Sequence, residues 1–493
     1  MPGVHDLRSA IEFLKTKDGQ YIETDVEVDP KDELSGVYRR IGAGGTVARP
    51  TKTGPCMTFN NIKDHPSARV HIGLLASRKR VAMLLDEKPE NLGKALSAAS
   101  KSPIDPKPIA DGAPVPCQEV VYRAEDEGFD IRKILPVPTN TPDDAGPYIT
   151  LGMCYAHSPN TGEHDITIHR MCLQSADELS IYFVPGARHI GHFFEEAEAL
   201  GKPLPISINI GVDPAIEVST CFEPPTTPLG YDELGIAGAL RGKPVELVKC
   251  LTIDEYAIAN AEYVIEGEVI PGKRIREDQN TKCGHAMPEF PGYTGPAQES
   301  IPVIKVKAIT TRKNPIYQTC IGPSEEHVSM TGIPTEASIL QMVESAMPGR
   351  LQNVYCASCG GGKYLAILQF KKSMPSDEGR QRQAALLAFS AFSELKHVFI
   401  VDEDVDPFDL SDVIWAMNTR FQGDVDIVTI QGVRCHPLDP SERIGMSPFI
   451  RDNGISCKTI FDCTVPYSEK ERFHRARFME VDPTHWVPDF KDE

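Results

Sequence analysis

Apolar and polar positions alternate in two rhythms along the first hundred residues. Leu7, Ala10, Ile11, Phe13 and Leu14 recur at helical spacing behind Asp6, a residue type that caps helices. Residues 21–28 alternate as a strand does. Residues 32–41 read as a helix stopped by Gly42-Ala43-Gly44-Gly45. Residues 57–60 and 69–75 read as strands around a turn, and two helices follow near 78–85 and 90–100. Residues 103–116 hold five prolines and little periodicity, which predicts an exposed linker and a domain boundary.

Beyond that linker the rhythm is that of strands. Residues 148–157 and 165–173 flank Asn160-Thr161-Gly162, a hairpin loop by its composition. Residues 206–210, 245–250, 257–269 and 301–310 continue the run, with a turn at Arg312-Lys313-Asn314. Many strands with few helices predict a barrel. Past residue 333 helix and strand alternate again: helix 335–346, strand 364–370, helix 377–395, strand 398–401, helix 411–420 and strand 425–430. The last 60 residues read as irregular and proline-punctuated. The whole is α/β (α+β) in three parts: an N-terminal α/β region over 1–115, a barrel domain over 116–332, and a C-terminal α/β domain with its tail over 333–493.

Composition narrows the function classes. The 493 residues carry 51 basic and 70 acidic side chains, a net charge of −19. Such a chain repels phosphate backbones and gains no hold on anionic lipid, so neither nucleic acid nor membrane is an expected partner. No apolar run approaches the roughly 20 residues of a spanning helix. Met1-Pro-Gly-Val-His-Asp6 lacks a basic-then-apolar signal pattern, so a cytoplasmic location is expected. The 13 cysteines are odd in number and scattered, as buried thiols are and a disulfide framework is not. Cys356 and Cys359 form a lone CxxC without the second pair a zinc ribbon needs.

Several motifs fail on context. Gly42-Ala-Gly-Gly follows a helix and has Val47 where GxGxxG needs its third glycine. Gly360-Gly-Gly-Lys363 has Ala357 at the first P-loop position and Tyr364 in place of Ser/Thr, and so reads as a turn. Asp402-Glu-Asp-Val-Asp406 lacks EF-hand spacing and reads as a solvated loop that caps a helix.

The constellation with chemical content lies between His164 and His327. Asp165-Ile-Thr-Ile-His-Arg170 sets charged groups inside an apolar alternation, where each needs a partner, a metal or a ligand. Strand parity puts Asp165, Thr167 and His169 on one face and Arg170 on the other, so either a bulge intervenes or the two charges serve different partners. Arg188-His189 follows Pro185-Gly186 in a loop, and Glu233 opens an amphipathic helix. An Asp, a His and a Glu suit Mg²⁺ or Mn²⁺ carrying a phosphate. In the proline- and aromatic-rich run His285-Ala-Met-Pro-Glu-Phe-Pro-Gly-Tyr293, Glu289 is a lone carboxylate that desolvation would keep protonated near neutral pH.

Together these stretches resemble the UbiD family of reversible decarboxylases, which use prenylated FMN. The resemblance runs through Ile41-Gly-Ala-Gly-Gly-Thr-Val47, Pro138-Thr-Asn-Thr-Pro142, Asp165 to Arg170, Gly284 to Tyr293, and Asn453-Gly-Ile-Ser-Cys-Lys-Thr-Ile-Phe-Asp-Cys-Thr-Val-Pro466. It covers essentially the whole chain, and within the family it resembles the 3,4-dihydroxybenzoate (protocatechuate) decarboxylases of the AroY type. It implies a flavin-binding split barrel and a C-terminal domain used in oligomerisation, as a homodimer or hexamer. It also implies a flavin prenyltransferase as cofactor supplier.

Carried over by position, the resemblance implies Asp165, His189 and Glu233 as ligands of Mn²⁺ (or Mg²⁺), with K⁺ nearby at Ser219 and Thr220. Asp165, Ile166, Thr167, Ile168, His169, Arg170, Arg188, His189 and Arg420 would contact the cofactor. Arg170 would also meet the substrate carboxylate, Glu289 would donate the proton, and His327 would line the substrate pocket. A second glutamate usual five residues before Glu289 is replaced by Gly284, so the Glu–Arg–Glu network reads as incomplete, with His285 a stand-in. Ser390 falls where ferulate-type relatives carry a flavin-contacting lysine. The activity implied is conversion of 3,4-dihydroxybenzoate to catechol and CO₂ through a covalent adduct with the flavin. Alternatives are another aromatic acid (4-hydroxybenzoate, gallate, a pyrrole or furan carboxylate), a metal-dependent hydrolase, or a non-catalytic assembly subunit.

Overall fold

The computed structural model describes residues 3–46, 48–110, 112–184, 189–442 and 454–490. Its first helix, Leu7–Lys15, starts as the sequence predicts: the Ser9 N–H donates to Asp6 Oδ1 at 2.8 Å, and Leu7, Ala10, Ile11 and Leu14 are buried. The N-terminal region also holds helices Glu33–Ile41, Arg78–Leu85 and Leu92–Lys101. Its sheet joins Tyr21–Thr24, Cys56–Phe59 and Arg69–Ile72 to Ile316–Thr319, which returns from beyond the barrel. The proline-rich stretch is largely exposed but not loose. Ile104, Lys107 and Ile109 donate their N–H groups to Gly235, Val245 and Leu247, and Lys107–Pro108 pairs with the strand Glu246–Lys249.

A nine-stranded sheet forms the centre. The predicted strand over 165–173 is two strands, His164–Ile168 and Met171–Leu173, which stand toward opposite ends of the sheet order. Only His169 and Arg170 join them, a span of about 10 Å at most. The sheet must therefore curl until its two ends approach, as a half-barrel. Its longest pair, Tyr263–Ile275 with Ile301–Thr311, is broken by irregularities at Glu266/Gly267 and Val269/Arg274, which supply the bend. The mixed α/β architecture expected from the sequence is present, and the predicted barrel is a curled half-barrel sheet.

The C-terminal sheet runs Leu351–Cys356, Leu365–Phe370, His397–Val401, Ile455–Asp462, Ile427–Arg434, with helices Glu325–Ala346, Arg380–Ala391 and Leu410–Arg420. Two expectations change. The helix predicted from 335 begins at Glu325, capped by Ser324, and runs unbroken through Pro334 and across the division drawn at 332/333. The tail predicted to be irregular contributes the inner strand Ile455–Asp462. Its buried face carries Ser456, Lys458 and Asp462 besides Ile460, so hydrophobic alternation does not reveal it. Lys458 Nζ is satisfied by the carbonyls of Ser393 and Leu395, and Asp462 by Gln381 and Arg382.

Candidate active site

Of the two residues that join the ends of the half-barrel, Arg170 stands at the centre of the site. Arg170 donates Nε and Nη2 to Glu277 at 2.9 Å each and Nη1 to Glu289, and its guanidinium lies 4.3 Å from the Tyr182 ring centre. Glu277 is held in turn by the Tyr148 hydroxyl at 3.1 Å and the Gln298 N–H at 3.0 Å. A Glu–Arg–Glu network is therefore present, which corrects the expectation of an incomplete one. Its second carboxylate is Glu277, not a residue at position 284. Gly284 sits in the left-handed region with its N–H on Asp278, and His285 is exposed, so it is no stand-in.

Burial opposes the Arg170 charge, but Glu289 and Glu277 more than offset it and hold the guanidinium firmly protonated. Burial also lifts the Glu289 carboxyl above its ordinary pKa, against the pull of Arg170 and with the help of Glu277. The loop that presents Glu289 is tight: its N–H donates to the Tyr293 carbonyl at 2.8 Å, and a side chain at Gly295 would come within 3.0 Å of Glu289 Cγ.

Asp165 and Arg170 serve different partners, as strand parity allowed. Asp165 points into a small pocket with Thr167, His189, Glu223 and Glu233, where its Oδ1 stands 3.4 Å from His189 Nδ1. Glu233 is buried in the first turn of Glu233–Arg241, which Asp232 caps, and its Oε2 has no hydrogen-bond partner. Burial and then the Asp165 carboxylate push Glu233 well above the usual carboxylate range. The three predicted ligands share one pocket, although no three His, Cys, Asp or Glu side chains among the described residues form a closed metal-binding group.

The remaining predicted residues divide. Ile168, His169, Arg170, Glu289 and His327 line one cavity, while Ile166 is packed in the core. Ser219 and Thr220 are buried with their hydroxyls on the carbonyls of Ala215 and Glu217. Arg188 lies outside the described residues. Arg420 is not in the cavity: it pairs with Asp402 at 2.8 Å and Asp404 at 2.7 Å within the C-terminal domain. Ser390 is exposed and donates to the Leu386 carbonyl.

The C-terminal domain forms the opposing wall with residues that sequence reasoning missed: Lys363, Glu394 and His436. Lys363 Nζ lies 3.1 Å from Glu394 Oε2 and 3.9 Å from Glu223. His436 Nε2 lies 3.3 Å from the same Glu394 oxygen. Lys363 closes the glycine-rich stretch that the sequence reads as a plain turn, so the turn both reverses the chain and delivers an ammonium group. His327, half-buried at the start of Glu325–Ala346, is held down to about 4 by desolvation and by Lys363, and is neutral at physiological pH.

Three adjoining family models match the chain: the N-terminal (12–100), Rift-related (109–325) and C-terminal (328–463) domains of 3-octaprenyl-4-hydroxybenzoate carboxy-lyase. Gallate decarboxylase of Lactiplantibacillus plantarum is 57% identical over 477 residues, 97% of each chain. This chain belongs to the UbiD family. Within it, the apo 3,4-dihydroxybenzoic acid decarboxylase of Enterobacter cloacae is 58% identical and superposes with a TM-score of 0.93, covering 99% of each chain. The UbiD-class enzyme HmfF of Pelotomaculum thermopropionicum, solved with FMN, is 34% identical with a TM-score of 0.84, covering 99% of this chain and 100% of its own. An evolved dimeric form of HmfF was solved with prenylated FMN. UbiD proteins are carboxy-lyases, and the fold described above is that of UbiD-class enzymes.

Proposed function

We propose that this protein is a prenylated-FMN-dependent carboxy-lyase that converts 3,4-dihydroxybenzoate to catechol and CO₂. One observation carries the reading: a buried guanidinium and a carboxyl with a raised pKa face the same cavity as a neutral imidazole. The near relatives that act on gallate and 3,4-dihydroxybenzoate support the substrate class.

Loss of CO₂ from an aryl acid leaves an electron pair that no side chain stabilises, and the flavin, when bound, supplies the electron sink. Arg170 binds the substrate carboxylate. Glu277 and Glu289 occupy three of its five N–H groups, which leaves one on each terminal nitrogen for the ligand. As the bond to CO₂ breaks, the Glu289 carboxyl delivers its proton to the ring carbon and is recharged from solvent. Neutral His327 accepts a hydrogen bond from a phenolic hydroxyl.

Asp165, His189 and Glu233 fit a divalent cation. Two buried carboxylates, one with an oxygen that lacks a partner, are costly together without one, and hard oxygen donors with one imidazole suit Mn²⁺ or Mg²⁺. That ion would tie the cofactor phosphate to the half-barrel. K⁺ would sit beside Ser219 and Thr220, whose hydroxyls donate to the carbonyls of Ala215 and Glu217 and keep their oxygen lone pairs for a cation. A flavin prenyltransferase would supply the cofactor, and the working unit would be a homo-oligomer, dimer or hexamer. Among the described residues no helix is long and apolar enough to cross a membrane.

The decisive experiment is CO₂ release across a panel of aromatic acids by protein co-expressed with a flavin prenyltransferase. Turnover greatest on 3,4-dihydroxybenzoate supports the reading. A preference for gallate or a heteroaromatic acid moves the substrate. A flavin-loaded protein silent on every acid overturns the activity. The alternative of a non-catalytic subunit loses support, because Glu277 supplies the second carboxylate on Arg170.

A further inference from the structure

We propose that Lys363, Glu394 and His436 form a recognition triad for two adjacent ring hydroxyls, which makes this cavity selective for vicinal diols over single phenols. The inference rests on the decarboxylase reading and names the part of the substrate that this wall contacts.

All three side chains are nearly buried, yet all three line the cavity. A buried ammonium–carboxylate pair is a poor way to gain stability, since apolar residues of similar volume serve as well or better. Lys363 is set against the rings of Phe290 and Phe392, each 5.6 Å away, where apolar packing was available. The pair is better explained by what it binds.

The two walls divide the work. Arg170 and Glu289, from the half-barrel, face the carboxylate end of a ligand. Between the walls stands Phe290, whose ring meets His327, Tyr364 and His436 edge-on at 6.0, 4.9 and 4.6 Å. His327 alone would serve one hydroxyl. The triad adds a cation that only donates and a carboxylate that only accepts. A vicinal diol satisfies both: one hydroxyl oxygen accepts from Lys363 and its neighbour donates to Glu394. His436, on the same Glu394 oxygen as Lys363, is a positioning residue that holds the carboxylate in place. A second carboxylate or a phosphate on the ligand fits worse, because Glu394 and Glu223 flank the lysine and would repel it.

The test uses flavin-loaded protein and two readouts. In the first, Glu394→Gln and Lys363→Met are compared with wild type for kcat/KM on 3,4-dihydroxybenzoate and on 4-hydroxybenzoate. The expected loss is about 10- to 100-fold greater on the diol acid, the value of a hydrogen bond to a charged partner. Equal losses on both acids, or no loss, overturn the triad. The second readout needs no turnover: catechol and phenol are titrated against the flavin absorbance of wild type. Catechol is expected to bind at least about tenfold tighter, and equal affinities overturn the proposal. Should the wild type release no CO₂ from any acid, the decarboxylase reading fails while this titration still judges the triad. Glu394→Gln preserves side-chain shape, so a folding failure of Lys363→Met, seen in its melting temperature, leaves the comparison intact. His436→Asn should raise KM for the diol acid more than it lowers kcat, and the reverse split would give His436 a different role.

Discussion

Arg170 meets Glu277 through two N–H···O contacts of 2.9 Å and meets Glu289 through a single nitrogen. The asymmetry assigns different tasks to two carboxylates on one guanidinium. Glu277 takes the bidentate pairing and neutralises the arginine, while Glu289 is left with a raised pKa and a proton to give.

Glu289→Gln should therefore keep the flavin and lose about 10²- to 10⁴-fold in kcat, the usual worth of a general acid. Glu277→Gln should act differently. Its negative charge is one cause of the high Glu289 pKa, so removing it lets Arg170 pull that pKa down. The alkaline limb of the pH–rate profile, where the acid loses its proton, should move to lower pH. A near-wild-type rate in Glu289→Gln, or an unmoved limb in Glu277→Gln, would place the proton donor elsewhere.

Asp165→Ala and Glu233→Ala should each release metal and flavin together. A hard cation shared by carboxylates and a phosphate loses affinity for both when one side is cut. Metal analysis and flavin absorbance after desalting read the two losses independently. Flavin that stays bound once the metal is gone would show that the ion does not bridge them.

Much of this site is legible along the chain, because its residues break a local rule. Asp165 is a charge inside a strand, Arg170 is a charge in what the sequence reads as the same strand, and Glu289 is the one carboxylate in an apolar loop. Glu277 breaks none. It follows the long strand Tyr263–Ile275 among other charged residues, and only the fold carries it to Arg170. Counting a fixed distance back from Glu289 arrives at Gly284 instead. Lys363 is hidden by the glycines that precede it, which are required for the turn whether or not a lysine follows; Gly361 and Gly362 both have positive φ. Glu394 and His436 come from separate segments of the C-terminal domain, and no spacing relates them. The strand Ile455–Asp462 is missed for the opposite reason, since its inward face satisfies polar groups with polar partners.

Glu326 provides a pH test of the core. It is buried, it accepts the N–H groups of Gly73 and Leu75 at 2.9 and 3.0 Å, and burial lifts its pKa from 4.5 to about 7. The folded chain thus keeps a proton that the unfolded chain sheds. The resulting stability is complete below about pH 4.5 and is lost as pH rises through 7, a change of roughly 3 kcal/mol. His71 and His327, held down by burial to about 3 and about 4, act in the opposite sense as pH rises toward 6.5. The difference between wild type and Glu326→Gln isolates the glutamate. Denaturant unfolding between pH 5 and pH 8 should show wild type losing stability relative to the variant as pH rises. Parallel curves would mean that Glu326 ionises normally.

His327→Leu should discriminate among substrates and not stop chemistry outright. Its imidazole is neutral and faces the cavity from the start of the long helix, whereas the carboxylate is the task of Arg170. A lost hydrogen bond to a developing phenolate costs roughly 1.5–3 kcal/mol, or about 10- to 100-fold in rate. 3,4-Dihydroxybenzoate should suffer that loss. An analogue without ring hydroxyls never had the contact, so whatever turnover it shows should fall much less. If His327 only packs against Phe290 and the helix, the variant should lose melting temperature and affect every acid alike. Measuring kcat/KM for both acids, with melting temperature alongside, separates these outcomes. Equal losses on the two acids would remove His327 from substrate recognition and leave the hydroxyls to Lys363 and Glu394.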